Sequence, residues 1–97
     1  MYKNNRLIMN HTDLNLISIR EQQILFLVSQ EYSTEEMAAA LHLSAHTIFS
    51  HRRNLLKKLD VKNTAGLIRK SFELDYLYLE DGIAKARYMQ QKLAIAV

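Results

Sequence analysis

The sequence predicts an all-α fold: a small four-helix domain containing a helix-turn-helix, followed by a C-terminal extension that is also helical. Three observations lead there. The 97-residue chain has no proline and only two glycines, Gly66 and Gly82, so little in it breaks a helix. "SIRE" at Ser18–Glu21 and "STEE" at Ser33–Glu36 each set a glutamate three residues after a serine, the pattern of a capping box. Apolar residues then recur at helical spacing after each box.

Ser18 caps helix one, expected over about residues 19–30, with Ile24, Leu25, Leu27 and Val28 on its apolar face. Ser33 caps a short helix two. Glu35 and Glu36 sit in its first turn, where the helix dipole favours acids. Met37, Ala38 and Leu41 give its inner side, and it ends near His42. Ser44 caps helix three after only a few connecting residues, so a short helix, a tight turn and a longer helix follow one another as in a helix-turn-helix.

Helix three is both basic and regularly apolar. With each residue advancing roughly 100°, Leu55, Leu59, Ala45 and Leu56 fall within about 80° of Ile48. The opposite arc carries His46, Phe49, Ser50, Arg53 and Lys57. One side therefore anchors the helix and the other is free to meet something. Arg52 projects beside Ile48, so it must snorkel outward or find an acid such as Glu21. The basic character is local: residues 44–70 carry seven Arg or Lys and one acid, while the remainder of a chain of net charge +3 is mildly acidic. Such a block points to a polyanion-facing surface.

Asn63 caps helix four, where two apolar stripes compete. Val61, Ala65, Ile68 and Phe72 are read as inward. Leu67, Ser71, Leu74 and Tyr78 form a second stripe, to be covered by the tail or by another subunit. Beyond it, Tyr76-Leu77-Tyr78-Leu79 suits strand or helix, and Glu80-Asp81-Gly82 signals a turn. Ala86, Met89, Leu93 and Val97 align on one side of a last helix. The layout is thus an N-terminal arm over 1–16, a helix-turn-helix domain over 17–74 and an extension over 75–97.

Several classes are excluded or disfavoured. Without cysteine there is no disulfide and no thiolate metal site. His42 and His46 straddle the Ser44 cap, and His46 and His51 lie about 140° apart on helix three, so no metal or other cofactor is expected. A Gly-rich phosphate loop and a patterned carboxylate pair are both missing, so the chain does not read as an enzyme. The start lacks the apolar stretch of a signal peptide and no run would span a bilayer, which predicts a cytoplasmic protein without a membrane partner.

Residues 17–69 resemble the LuxR/FixJ/GerE-type helix-turn-helix, the DNA-binding module of many bacterial transcription regulators. The resemblance rests on four blocks in order and at family spacing: "ISIRE", "STEEMAAALHLS", "SAHTIFSH" and "KLDVKN". It implies four helices, with helix three in the major groove of double-stranded DNA. It also implies a homodimer through helix four, bound to two related half-sites and regulating transcription. By matched position, Phe49, Ser50 and Arg53 would meet bases or adjacent phosphates. Thr47, Ser33 and Thr34 would meet phosphate, and Lys57 would lie near the backbone. With His46 from the helical projection, these are the candidate DNA-binding residues. Leu67, Ser71 and Leu74 are the candidate dimer interface. RNA polymerase or another regulator is a further class of partner.

Three residues depart from the family pattern. Glu31 replaces the glycine that usually closes helix one, at a cost of roughly 1 kcal/mol if that site is left-handed. Gly66 replaces a common glutamate early in helix four. Phe49 replaces a common lysine or arginine, and its ring cannot pair with guanine or phosphate. The competing reading is a protein-interaction module on the same fold with reduced DNA binding, for which an exposed Phe49 and the Met89/Leu93/Val97 stripe speak.

Overall fold

The structure is a computed structural model in which the described residues are 17–90. The predicted arm, and Leu93 and Val97 of the predicted last stripe, lie outside them. Four helices come first: α1 (Ile19–Ser29), α2 (Thr34–Leu41), α3 (Ala45–Lys58) and α4 (Thr64–Glu73). A hairpin of β1 (Leu77–Glu80) and β2 (Ile83–Ala86) follows.

Local chemistry starts each helix as the sequence predicts. Ser18 Oγ accepts from Glu21 N at 3.0 Å, and Glu21 Oε1 accepts from Ser18 N at 3.1 Å. The Ser33–Glu36 box repeats this at 3.1 and 2.8 Å. Ser44 caps α3 through Thr47 N, and Asn63 caps α4 through Gly66 N. Each cap supplies a partner to a backbone donor that the helix itself leaves unpaired.

The helix ends share one geometry. Glu31, His42, Asp60 and Asp75 all have left-handed backbone, with φ between 56° and 68°. The next residue then donates its N–H five residues back: Tyr32 to Leu27, Leu43 to Ala38, Val61 to Leu56 and Tyr76 to Ser71, at 2.9–3.1 Å. This is the Schellman closure, made four times without a glycine. Glu31 thus meets the condition on which its cost relative to glycine depends.

The core is one cluster in which Ile17, Ile24, Leu25, Met37, Ile48, Leu55, Leu59, Leu67 and Tyr76 are buried. Leu27, Val28, Ala38, Leu41, Leu43, Leu56, Val61, Ile68 and Leu74 pack around it. The inward side of α3 agrees with the projection except at Ala45, which is exposed.

Helix α4 corrects the sequence reading. Leu67 is 1% exposed and Ser71 fully buried, so neither can form a surface for a second chain. Ala65 is exposed and Phe72 stands outside the core cluster, although Val61 and Ile68 do pack against it. Two stripes on one helix differ only in which neighbours they meet, and α4 meets α1, α3 and β1 on its Leu67 side. Ser71 tolerates burial because its hydroxyl donates to Leu67 O at 2.7 Å. Gly66 permits a close approach here: a Cβ at that position would lie 3.2 Å from Val61 Cβ.

The extension is the second correction. Residues 77–86 form an antiparallel hairpin rather than helix, with Leu77 opposite Ala86 and Glu80 opposite Ile83. Asp81 and Gly82 both take positive φ, 54° and 76°, so the two-residue turn twists with its strands. Leu77 and Ala86 are buried, and the strands rest on α4 and α1. Arg87 locks the base: it lies 3.9 Å over the Tyr78 ring and pairs with Asp75 at 2.8 Å. Among the described residues of the extension, helical backbone appears at 87–90.

Candidate nucleic-acid interface

Helix α3 presents the site. Ile48 and Leu55 are fully buried and fix its rotation about its own axis. That rotation leaves His46, Phe49, Arg53 and Lys57 exposed, with Thr47 and Ser50 half-buried beside them. The arc predicted to face outward therefore does so. Phe49 is 61% exposed, a large apolar group left in water on a basic surface.

The basic residues of this face are not tied up in ion pairs. Among the described residues the ion pairs are Lys58–Glu21, Arg69–Glu73 and Arg87–Asp75. Arg53 and Lys57 have no carboxylate partner among them. Their full charge is available to an anion from outside the chain.

Arg52 does not reach Glu21. Its Nη2 donates to Thr64 Oγ1 at 3.0 Å, bracing α3 against the first turn of α4. The partner of Glu21 is Lys58, whose Nζ lies 2.8 and 3.0 Å from the two carboxylate oxygens. The last turn of α3 projects Lys58 toward the start of α1. Burial works to raise the Glu21 pKa, but the hydrogen bonds from Lys58 and Ser18 and the nearby positive charges hold it below the ordinary carboxylate value. Phe49, Arg52, Arg53 and Leu56 line an open cleft of about 280 Å³ along one flank of α3. The sequence carried no sign of the Arg52 brace, because it depends on where α4 begins.

The residues assigned to phosphate lie at helix starts. Ser33 is exposed; its N–H donates to Glu36 and its Oγ accepts from Glu36 N, which leaves the hydroxyl hydrogen free to donate. Thr34 follows it, half-buried, in the first turn of α2. Thr47 Oγ1 accepts from Ser44 Oγ at 2.9 Å, which leaves its own hydroxyl hydrogen free to donate. Leu67, Ser71 and Leu74 stand apart from this face on α4. No helix among the described residues is long and apolar enough to cross a membrane. Among the same residues no three His, Cys, Asp or Glu side chains gather to hold a metal.

This arrangement has known counterparts. The family described as bacterial regulatory proteins, luxR family, matches residues 15–71. The response regulator protein VraR of Staphylococcus aureus is 33% identical over 58 residues, 60% of this chain. VraR of Staphylococcus epidermidis is similar to the same extent. The chain spans 28% of the length of these relatives. Among solved structures, that of the transcription factor GerE superposes with a TM-score of 0.60 at 30% identity, over 62% of this chain and 90% of the other. The hairpin lies beyond the segment that the family matches. Sequence blocks, helix order and the rotation of α3 thus agree that this chain belongs to the luxR family of bacterial regulatory proteins.

Proposed function

We propose that this chain is a sequence-specific, double-stranded DNA-binding transcription regulator that sets α3 into the major groove. The observation that carries the reading is the exposure of Arg53 and Lys57, without a carboxylate partner among the described residues, on the outer side of a helix whose other side is locked in the core. Arg53 is central on that face and suits a guanine edge, which accepts two hydrogen bonds from one guanidinium. Ser50 and His46 flank it. Lys57, one turn further along, suits the phosphate backbone, as do Thr47, Thr34 and Ser33 at the helix starts. Two copies would bind two related half-sites. With Leu67 and Ser71 buried, the edge of α4 available for pairing is the one that carries Ala65 and Phe72.

The test is duplex binding measured against salt. Phosphate contacts release counterions, so the affinity must fall steeply as salt rises. A shallow slope would reject the reading. The second reading, a protein-binding module, draws on the exposure of Phe49. It predicts weak, non-selective duplex binding together with a saturable protein partner.

A further inference from the structure

We propose that Phe49 makes this domain a reader of pyrimidine 5-methyl groups, selecting thymine or 5-methylcytosine beside the base pair that Arg53 engages. The inference rests on the DNA-binding reading above and concerns what the face selects.

The first argument is chemical. On a base-pair edge in the major groove the donors and acceptors are interrupted only by small C–H groups and by one bulky apolar group, the methyl on C5 of thymine. A phenyl ring offers no hydrogen bond. Among base-edge contacts in the groove, Phe49 gains most against that methyl. Against an N–H or C=O it would strip water from a polar group and return nothing.

The second argument is geometric. Phe49 is 61% exposed and contributes no burial to the core, so folding does not require it there. It forms one wall of the cleft whose remaining lining is Arg52, Arg53 and Leu56. Leu56 supplies a further apolar surface. Arg52 is tied back to Thr64. The cleft therefore offers an apolar patch rimmed by a fixed guanidinium and an unpaired one. A methyl group placed there meets carbon, while the negative edge and backbone around it meet positive charge.

The third argument is spacing. Phe49 and Arg53 are four residues apart, so their Cβ atoms sit about 5–6 Å from each other on one helix face. Successive base pairs are stacked roughly 3.4 Å apart. The methyl read by Phe49 and the guanine read by Arg53 must then lie on adjacent or next-adjacent base pairs. The preferred half-site contains a methylated pyrimidine within two steps of a guanine.

The test uses the full chain. Preferred duplexes are first selected from a randomised pool. In the selected site each thymine is then replaced, one at a time, by deoxyuridine, which removes only the methyl. One position per half-site should lose about fourfold in affinity, the free energy of one buried methylene expressed as a ratio. At that position, 5-methylcytosine should bind more tightly than cytosine by a similar factor if the methyl alone is read. A preference for thymine with no response to 5-methylcytosine would restrict the reader to thymine and overturn the wider half of the proposal. Phe49→Ala should bring the thymine-to-uracil ratio to one while leaving the salt slope and the melting temperature unchanged. Equal binding of thymine and uracil duplexes by the wild type at every position overturns the proposal. So does a ratio that survives Phe49→Ala. If Phe49→Ala changes no duplex affinity and abolishes binding of a protein partner, Phe49 serves the partner instead. Selection that enriches no duplex removes the DNA-binding reading itself, an outcome distinct from the others.

Discussion

Replacing Glu21 by glutamine isolates the ion pair that fastens α3 to α1. Glutamine keeps the side-chain oxygen that accepts from Ser18 N, so the capping box survives and only the charge is removed. The Glu21 side chain is 5% exposed and that of Lys58 33%. A hydrogen bond to a charged group contributes about 1.5–3 kcal/mol, and severing a fully buried pair costs more. Lys58 is one-third open to water and recovers part of its hydration, which places the loss at about 1–2 kcal/mol at neutral pH. In a domain of this size that lowers the melting temperature by roughly 5–10 °C. The effect must also depend on pH. The Glu21 pKa is lower in the folded chain than its ordinary value of 4.5. Its contribution is therefore complete above 4.5 and disappears as pH falls through the lower folded value. The glutamine variant has nothing to titrate there, so the gap between the two proteins should close in acid. Denaturant melts followed by circular dichroism at neutral pH and at several acidic values measure both arms. An equal gap at all pH values, or no gap at neutral pH, refutes the argument.

Arg53→Ala should cost about 1–3 kcal/mol on a selected site and little on random duplex, whereas Lys57→Ala should weaken all duplexes alike and reduce the salt slope by roughly one unit. Gel-shift titrations on both kinds of duplex distinguish them. Glu31→Gly should stabilise the domain by about 0.5–1 kcal/mol, because relief of left-handed strain outweighs the added freedom of the unfolded chain. A melting temperature that falls would count against it. Leu67→Glu buries a charge and should unfold the domain or cost more than ~3 kcal/mol. Ala65→Glu, at an exposed position, should leave the melt within about 0.5 kcal/mol and abolish cooperative binding to paired half-sites. Cooperativity that survives Ala65→Glu would move the pairing surface elsewhere.

Features written in nearest-neighbour chemistry were legible. The caps at Ser18, Ser33, Ser44 and Asn63 need only a hydroxyl or amide and a backbone three residues on, and each was found where it was read. The outward arc of α3 was legible for a related reason: its apolar side is a single stripe, so its polar side has one direction. Helix α4 has two stripes, and nothing local decides between Leu67 and Ala65. The choice belongs to α1, α3 and β1, which arrive from other parts of the chain. Strand β2 was hidden in "IAKA", whose alanines and lysine suit a helix. Pairing with β1 across the Asp81-Gly82 turn outweighs that preference. Arg52 projected inward with no hint of Thr64, since the brace requires the angle between two helices.

The four identical helix closures have a mechanical consequence. A Schellman turn spends its carbonyls on the residues that leave the helix, so each connection is as short and as hydrogen-bonded as the helices it joins. Between Ile19 and Glu73 the described chain has no slack segment to serve as a hinge. Arg52–Thr64 and Lys58–Glu21 then bolt the third helix to α4 and to α1. Such a body would dock as one piece, its backbone keeping the same shape bound and free. On the DNA-binding reading proposed above, adjustment to an imperfect site would fall to the long side chains of Arg53 and Lys57 and to the bending of the duplex. Selectivity would then depend partly on how readily a given sequence deforms, including at base pairs the protein never touches.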